Sequence, residues 1–189
     1  TCNPLGGECL WNRLRQDGGR CVYCWAQGTQ PTSIKERFTW SKQKYSGPPR
    51  IFEKILDKRF EEDDFVFAVT MRDLLNPNVG KKALNRIFNW MRQSPKARFL
   101  ILTKNPRGLY QIMMDPLVRI PSNVVLGATI ESDCNYSQYS CAPPQTERLE
   151  WMRLVSDLWG DRYDLFISIE PVLRFSQAFG HELRRDRKS

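Results

Sequence analysis

"RFLILTK", residues 98–104, decides the fold. After Arg98 the run Phe99-Leu100-Ile101-Leu102 is apolar at every position, whereas a strand exposed on one face would alternate apolar with polar. A short continuous run of this kind, closed by Thr103 and Lys104, reads as a strand covered on both faces. Three further runs share its character: "FVFAVTM" (65–71), "VVLGATI" (124–130) and "DLFISIEPV" (164–172).

Helical patterns fill the intervals between them. Leu84, Ile87, Phe88 and Met91 fall at i, i+3, i+4, i+7 and predict a helix over 80–93. Leu149, Met152, Val155 and Trp159 make a similar stripe and predict one over 146–159. A shorter helix is expected over 107–114, behind Pro106 at its first position, and another around 50–60. Strands alternating with helices make βα units, so the expected fold class is α/β with a parallel sheet. At 189 residues, 41% of them apolar and 12% aromatic, the chain is expected to form one folded domain. Residues 1–49 read as a cysteine-rich loop region, 50–175 as the βα core and 176–189 as a basic tail.

In parallel βα architectures, sites form at the carboxyl ends of the strands. Those ends carry Thr70, Arg72 and Asp73; Thr103, Lys104 and Asn105; Thr129, Glu131 and Ser132; and Ser168 and Glu170. For one residue alone, such as Glu131, a salt bridge or a helix cap is explanation enough. The set as a whole predicts a polar rim that lines a pocket.

The net charge of +8 is compatible with a nucleic-acid partner, although part of it sits in the tail "RRDRKS". With no run of about 18 apolar residues, no membrane span is expected. No charged-then-apolar segment opens the chain, so a cytoplasmic location with reduced thiols is expected. Six cysteines are too sparse for a disulfide scaffold and point to metal or redox chemistry.

The cysteines centre on "GRCVYCWAQ", residues 19–27. A redox Cys21-x-x-Cys24 would need a strand before it, and "GGR" is none. A tetrahedral zinc site from Cys2, Cys9, Cys21 and Cys24 is a second reading, though six residues separate Cys2 from Cys9. In a third reading, three thiolates hold a [4Fe–4S] cluster and leave one iron open. Cys134 and Cys141, in the polar loop "ESDCNYSQYSCAPP", read as unliganded thiols or an adventitious disulfide rather than as ligands. Spacing alone leaves the metal open.

"NPLGGEC" followed by "CVYCWA" resembles the signature of radical S-adenosylmethionine proteins such as the spore photoproduct lyases. The order "TCNP…GEC…GRCVYCWA", "TMRDLL", "LTKNP", "LGATIES" and "SIEPVL" is similar, from Thr1 to about Leu173, to a phage and prokaryotic group known as domain of unknown function 5131. The resemblance implies an incomplete barrel of TIM type, built from parallel βα units, with the cysteine loop at its open mouth. It implies that Cys9, Cys21 and Cys24 hold a [4Fe–4S] cluster. Asp73, Lys104, Glu131 and Glu170 match the family's recurring strand-end polar residues and would bind S-adenosylmethionine. It assigns no catalytic residue. The implied reaction makes a 5′-deoxyadenosyl radical, with a reductant protein as partner and a nucleotide or nucleic acid as substrate. Cys2 replaces the family's Trp and is a candidate fourth thiolate, and "LWNRLRQDGGR" lengthens the usual gap between the first two cysteines. The alternatives are a non-enzymatic metal-binding module (zinc or iron–sulfur) that contacts nucleic acid, and an electron-transfer iron–sulfur protein.

Overall fold

A computed structural model describes residues 2–7, 9, 11, 47–70, 72–135 and 137–176. Its centre is a four-stranded parallel sheet of β3 (Phe65–Ala68), β4 (Arg98–Thr103), β5 (Val124–Thr129) and β6 (Leu165–Ser168), in that order. A two-residue antiparallel ladder, β1 (Leu5–Gly6) with β2 (Arg50–Ile51), lies before it. Among the described residues, four helices accompany the strands: α1 (Glu53–Leu56), α2 (Lys81–Arg92), α3 (Pro106–Met114) and α4 (Gln145–Trp159). Strands and helices alternate from β3 to β6, so the fold is α/β with a parallel sheet, as the buried runs and helical stripes predict.

The stripe of α2 is buried at Leu84, Ile87, Phe88 and Met91, and Trp90 joins it. Trp90 meets Phe99 of β4 edge-on at 5.2 Å, and Phe60 closes the cluster at 5.7 Å from Trp90 and 5.5 Å from Phe99. Edge-to-face packing of three large rings makes this the heaviest part of the core. Phe60 explains why the helix expected over 50–60 shrinks to four residues. The chain leaves α1 at Asp57, and the Phe60 amide turns onto Ser94 Oγ (3.0 Å), which places its ring on Trp90 and Phe99.

Burial on both faces holds for β5, where all six residues are buried, but not for its neighbours. In β4, Phe99, Ile101 and Thr103 are buried while Leu100 and Leu102 are only half-buried. The face of β4 that meets α2 is closed and the other is half open, yet both carry apolar residues, so the sequence reads as continuous. β6 is the more exposed edge, with Ile167 outward, and it ends at Ser168 rather than extending over 164–172. Gly127 in β5 makes room for its neighbour, because a Cβ there would lie 2.1 Å from the Phe166 ring of β6.

The first residues are bound to the sheet. Cys2 bridges Ala68 in parallel, its amide donating to Phe67 O (2.9 Å) while its carbonyl accepts from Val69 N (2.8 Å). Its side chain is buried in the core. Gly7 turns the chain at φ +97, where a Cβ would strike the Pro48 carbonyl at 2.3 Å, so only glycine fits. Cys21 and Cys24 fall outside the described residues, as does most of the loop region 1–49 and the basic tail from residue 177. Among the described residues, no helix is long and apolar enough to cross a membrane.

Candidate functional site

The carboxyl end of the sheet is assembled around Asp73, just beyond β3. Just past β3, Val69 takes φ +58, a conformation that costs a β-branched residue strain and redirects the chain ahead of Asp73. The Asp73 carboxylate is nearly buried and accepts four hydrogen bonds. Oδ1 takes the Leu75 amide (3.0 Å) and Thr103 Oγ1 (2.7 Å), and Oδ2 takes the Lys104 amide (2.8 Å) and the Trp11 indole (3.0 Å). One side chain thus joins the ends of β3 and β4 to the cysteine-bearing segment.

Three more contacts tie that segment to the rim. Thr70 Oγ1 donates to Asn3 Oδ1 at 2.9 Å, which fixes the Asn3-Pro4 pair at the end of β3. Asn76 Nδ2, on a nearly buried side chain, lies 4.0 Å from Cys9 Sγ, so the half-buried Cys9 thiol sits beside the loop that leaves Asp73. Arg72 reaches back to the Gly6 carbonyl (3.1 Å) and across to Asn78 Oδ1.

From Lys104 the network continues to Glu131, at the end of β5. Glu131 is wholly buried and pairs with two cations: Lys104 Nζ on Oε1, and Arg148 Nη1 on Oε2 at 2.8 Å. Gln145 Nε2 adds a longer contact to Oε2 at 3.4 Å. Arg148 is equally buried and also donates to the carbonyls of Thr129 (2.6 Å) and Pro143 (2.7 Å). Lys104 is the accessible member of the trio: its side chain is 19% accessible where those of Glu131 and Arg148 are sealed. A partly accessible ammonium in a polar rim is suited to a carboxylate or phosphate.

Of the four strand-end residues singled out in the sequence, the structure joins Asp73, Lys104 and Glu131 in one network. Glu170 is exposed beyond β6 and makes no hydrogen bond or ion pair among the described residues. Cys9 lies against the network at Asn76. Among the described residues, no three His, Cys, Asp or Glu side chains come together to hold a metal, and two of the three expected thiolates lie outside that set.

The segment after β6 folds back over the rim. The Leu173 amide donates to the Glu131 carbonyl (3.0 Å), Ser132 Oγ donates to Arg174 O, and Ser176 gives its amide (2.9 Å) and hydroxyl to Asp133. Burial raises the Asp133 carboxyl, but the Ser176 hydrogen bonds outweigh it and hold the group below the ordinary carboxylate range.

Trp11, Asn76, Gln145 and Arg148 take part without having been singled out in the sequence. A signal existed for two of them. The α4 stripe of Trp159, Val155 and Met152 continues backwards in alternating steps of four and three to Arg148 and Gln145, which places both on the buried face. A buried arginine at the end of an apolar stripe needs an acid, and Glu131 is that acid.

Fold and rim together define a parallel α/β protein whose polar strand ends are fastened to a cysteine-bearing segment. The chain belongs to the family described as "Protein of unknown function (DUF5131)", whose model matches residues 11–174. No curated protein and no solved structure matches it.

Proposed function

We propose that the protein is an iron–sulfur protein of radical S-adenosylmethionine type, in which the sheet forms part of an incomplete TIM-type barrel. The observation that carries this reading is the anchoring of the cysteine segment on the carboxyl rim, through Trp11 on Asp73 and Cys9 beside Asn76. A thiol there, half-buried and next to an amide donor, fits a soft metal. Cys9, Cys21 and Cys24 would hold a [4Fe–4S] cluster. When bound, the cluster supplies an open iron for the amino and carboxylate groups of S-adenosylmethionine, and one electron to break its C5′–S bond into methionine and a 5′-deoxyadenosyl radical.

The chain's own residues have simpler duties. Lys104, the accessible cation of the trio, would meet a carboxylate or phosphate, and its pair with Glu131 fixes where the ammonium sits. Asp73 holds the β4 end, and therefore Lys104, in register with the cysteine segment. Glu170, exposed beyond β6, would meet a ribose or an ammonium group. The +8 net charge supports a nucleotide or nucleic-acid substrate, and a reductant protein would supply the electron.

The test is chemical. Protein purified without oxygen, reconstituted with iron and sulfide and reduced with dithionite should convert S-adenosylmethionine to 5′-deoxyadenosine. The Cys9→Ser variant should not. Equal conversion by that variant, or none by the wild type with a full complement of iron, would contradict the proposal.

A further inference from the structure

At the amino end of the sheet, opposite the carboxyl rim, lies a cleft of about 610 Å³. Its walls are the turns entering β4, β5 and β6 together with the last residues of α2, α3 and α4, and it shares no residue with the rim. Three guanidinium groups line it: Arg92, Arg119 and Arg162. The one carboxylate among the lining residues, Asp115, is already engaged by Lys81 Nζ at 2.5 Å and by the Leu117 amide at 3.0 Å. Those hydrogen bonds hold Asp115 below the ordinary carboxylate range, so it stays ionised and committed to Lys81. The cleft therefore has a surplus of positive charge.

Its geometry is prepared. Arg92 is oriented by Asn89 Oδ1 and the Arg119 carbonyl, which together use only part of its five N–H donors. Tyr163 is buried and fixed by its hydroxyl on the Ile120 carbonyl (3.1 Å), with the Arg162 guanidinium 5.5 Å above its ring. Trp159 is half-buried beside it and held edge-on by Tyr110 at 5.7 Å. One duty of the arginines is to offset the negative carboxyl ends of α2 and α4. Arg119 and Arg162 lie outside those helices and are exposed to the cleft, which exceeds that duty.

We propose that this cleft binds a nucleotide unit, its phosphate among Arg92, Arg119 and Arg162 and its base against Trp159. Guanidinium forks match phosphate oxygens in pairs, and aromatic side chains take the face of any base. The volume is that of a pocket for such a ligand. The site is independent of the metal chemistry proposed for the rim.

Calorimetric titration of the whole chain with adenosine 5′-monophosphate and with a short oligodeoxythymidylate separates a free nucleotide from one within a strand. R119Q/R162Q should bind whichever probe binds the wild type at least about tenfold more weakly, because charge-assisted contacts to phosphate are lost. Both residues are exposed, so the melting midpoint should stay within about two degrees of wild type. Adenosine, which lacks the phosphate, should bind at least about tenfold more weakly than its monophosphate. Lys104→Met, on the opposite rim, should leave binding of the probe intact. The proposal fails if neither probe binds the wild type, or if R119Q/R162Q binds it equally well. It fails too if Lys104→Met abolishes binding, which would place the nucleotide on the carboxyl rim. A lowered midpoint with undiminished binding would assign the arginines to the helix ends alone.

Discussion

Asp73 accepts the Trp11 indole N–H at 3.0 Å, and through that bond the cysteine-bearing segment is attached to the carboxyl end of the sheet. The same carboxylate holds Thr103 and the Lys104 amide, so attachment of the segment and placement of Lys104 depend on one side chain. Asp73→Asn turns one of two acceptor oxygens into a donor that faces donors. It should cost about 1–3 kcal/mol, whereas Trp11→Phe, which removes a single bond, should cost about 1 kcal/mol. Urea unfolding of both variants checks the order. An Asp73→Asn protein as stable as wild type would show that the four bonds are not holding the rim.

The Glu131 pairs make a second ordering. Arg148→Met takes the buried cation from a sealed carboxylate and should cost about 3–5 kcal/mol, as for one partner removed from a buried pair. Lys104→Met leaves Glu131 its Arg148 partner and should cost nearer 1 kcal/mol, towards the range of accessible pairs. If Lys104 serves a ligand, its loss should weaken S-adenosylmethionine binding about tenfold or more, the effect of one charged hydrogen bond. Thermal midpoint and affinity measured on the two variants separate scaffold from site. A Lys104→Met protein that is badly destabilised yet binds normally would reverse the assignment.

Gly127 and Phe166 test the register of β5 on β6. Gly127→Ala places a methyl against the Phe166 ring and should cost about 1–3 kcal/mol by overpacking. Phe166→Leu shortens that ring, so the double variant should recover part of the loss. Additive costs in a double-mutant cycle would mean that the two residues are not neighbours.

The clasp between Asp133 and Ser176 should depend on pH. The folded carboxyl lies below its ordinary value near 4, so its contribution is present above about pH 4 and is lost as the pH falls through the lower, folded value. The protection of the Ser176 amide, the slowing of its exchange relative to that of a free chain at the same pH, should fall as the solution is acidified through that window. Asp133→Asn should show low protection at all pH values. Protection that ignores both the acid and the variant would show that the segment is not held by this pair.

The sheet was legible because its strands are short apolar runs set apart by helical stripes, and both signals come from local periodicity. The half-open face of β4 was not, because Leu100 and Leu102 are as apolar as Phe99 and Ile101, and only packing separates them. At the rim, Asp73, Lys104 and Glu131 could be placed from strand ends alone. Trp11 could not, since a hydrogen bond across 62 positions leaves no periodic trace. Arg148 occupies the middle ground: the stripe of α4 points to its burial, but its acid is known only once β5 and α4 are packed together.

In the proposed site, Cys9, Cys21 and Cys24 hold a [4Fe–4S] cluster with one iron left for S-adenosylmethionine. The most direct measurement is the electron paramagnetic resonance spectrum of the reduced, reconstituted protein, recorded with and without S-adenosylmethionine. The account predicts a reduced-cluster signal that changes when S-adenosylmethionine is added, that persists in Cys2→Ser and in Cys134→Ser/Cys141→Ser, and that is lost in Cys9→Ser. A colourless zinc protein, or a cluster signal that S-adenosylmethionine leaves unchanged, would contradict it.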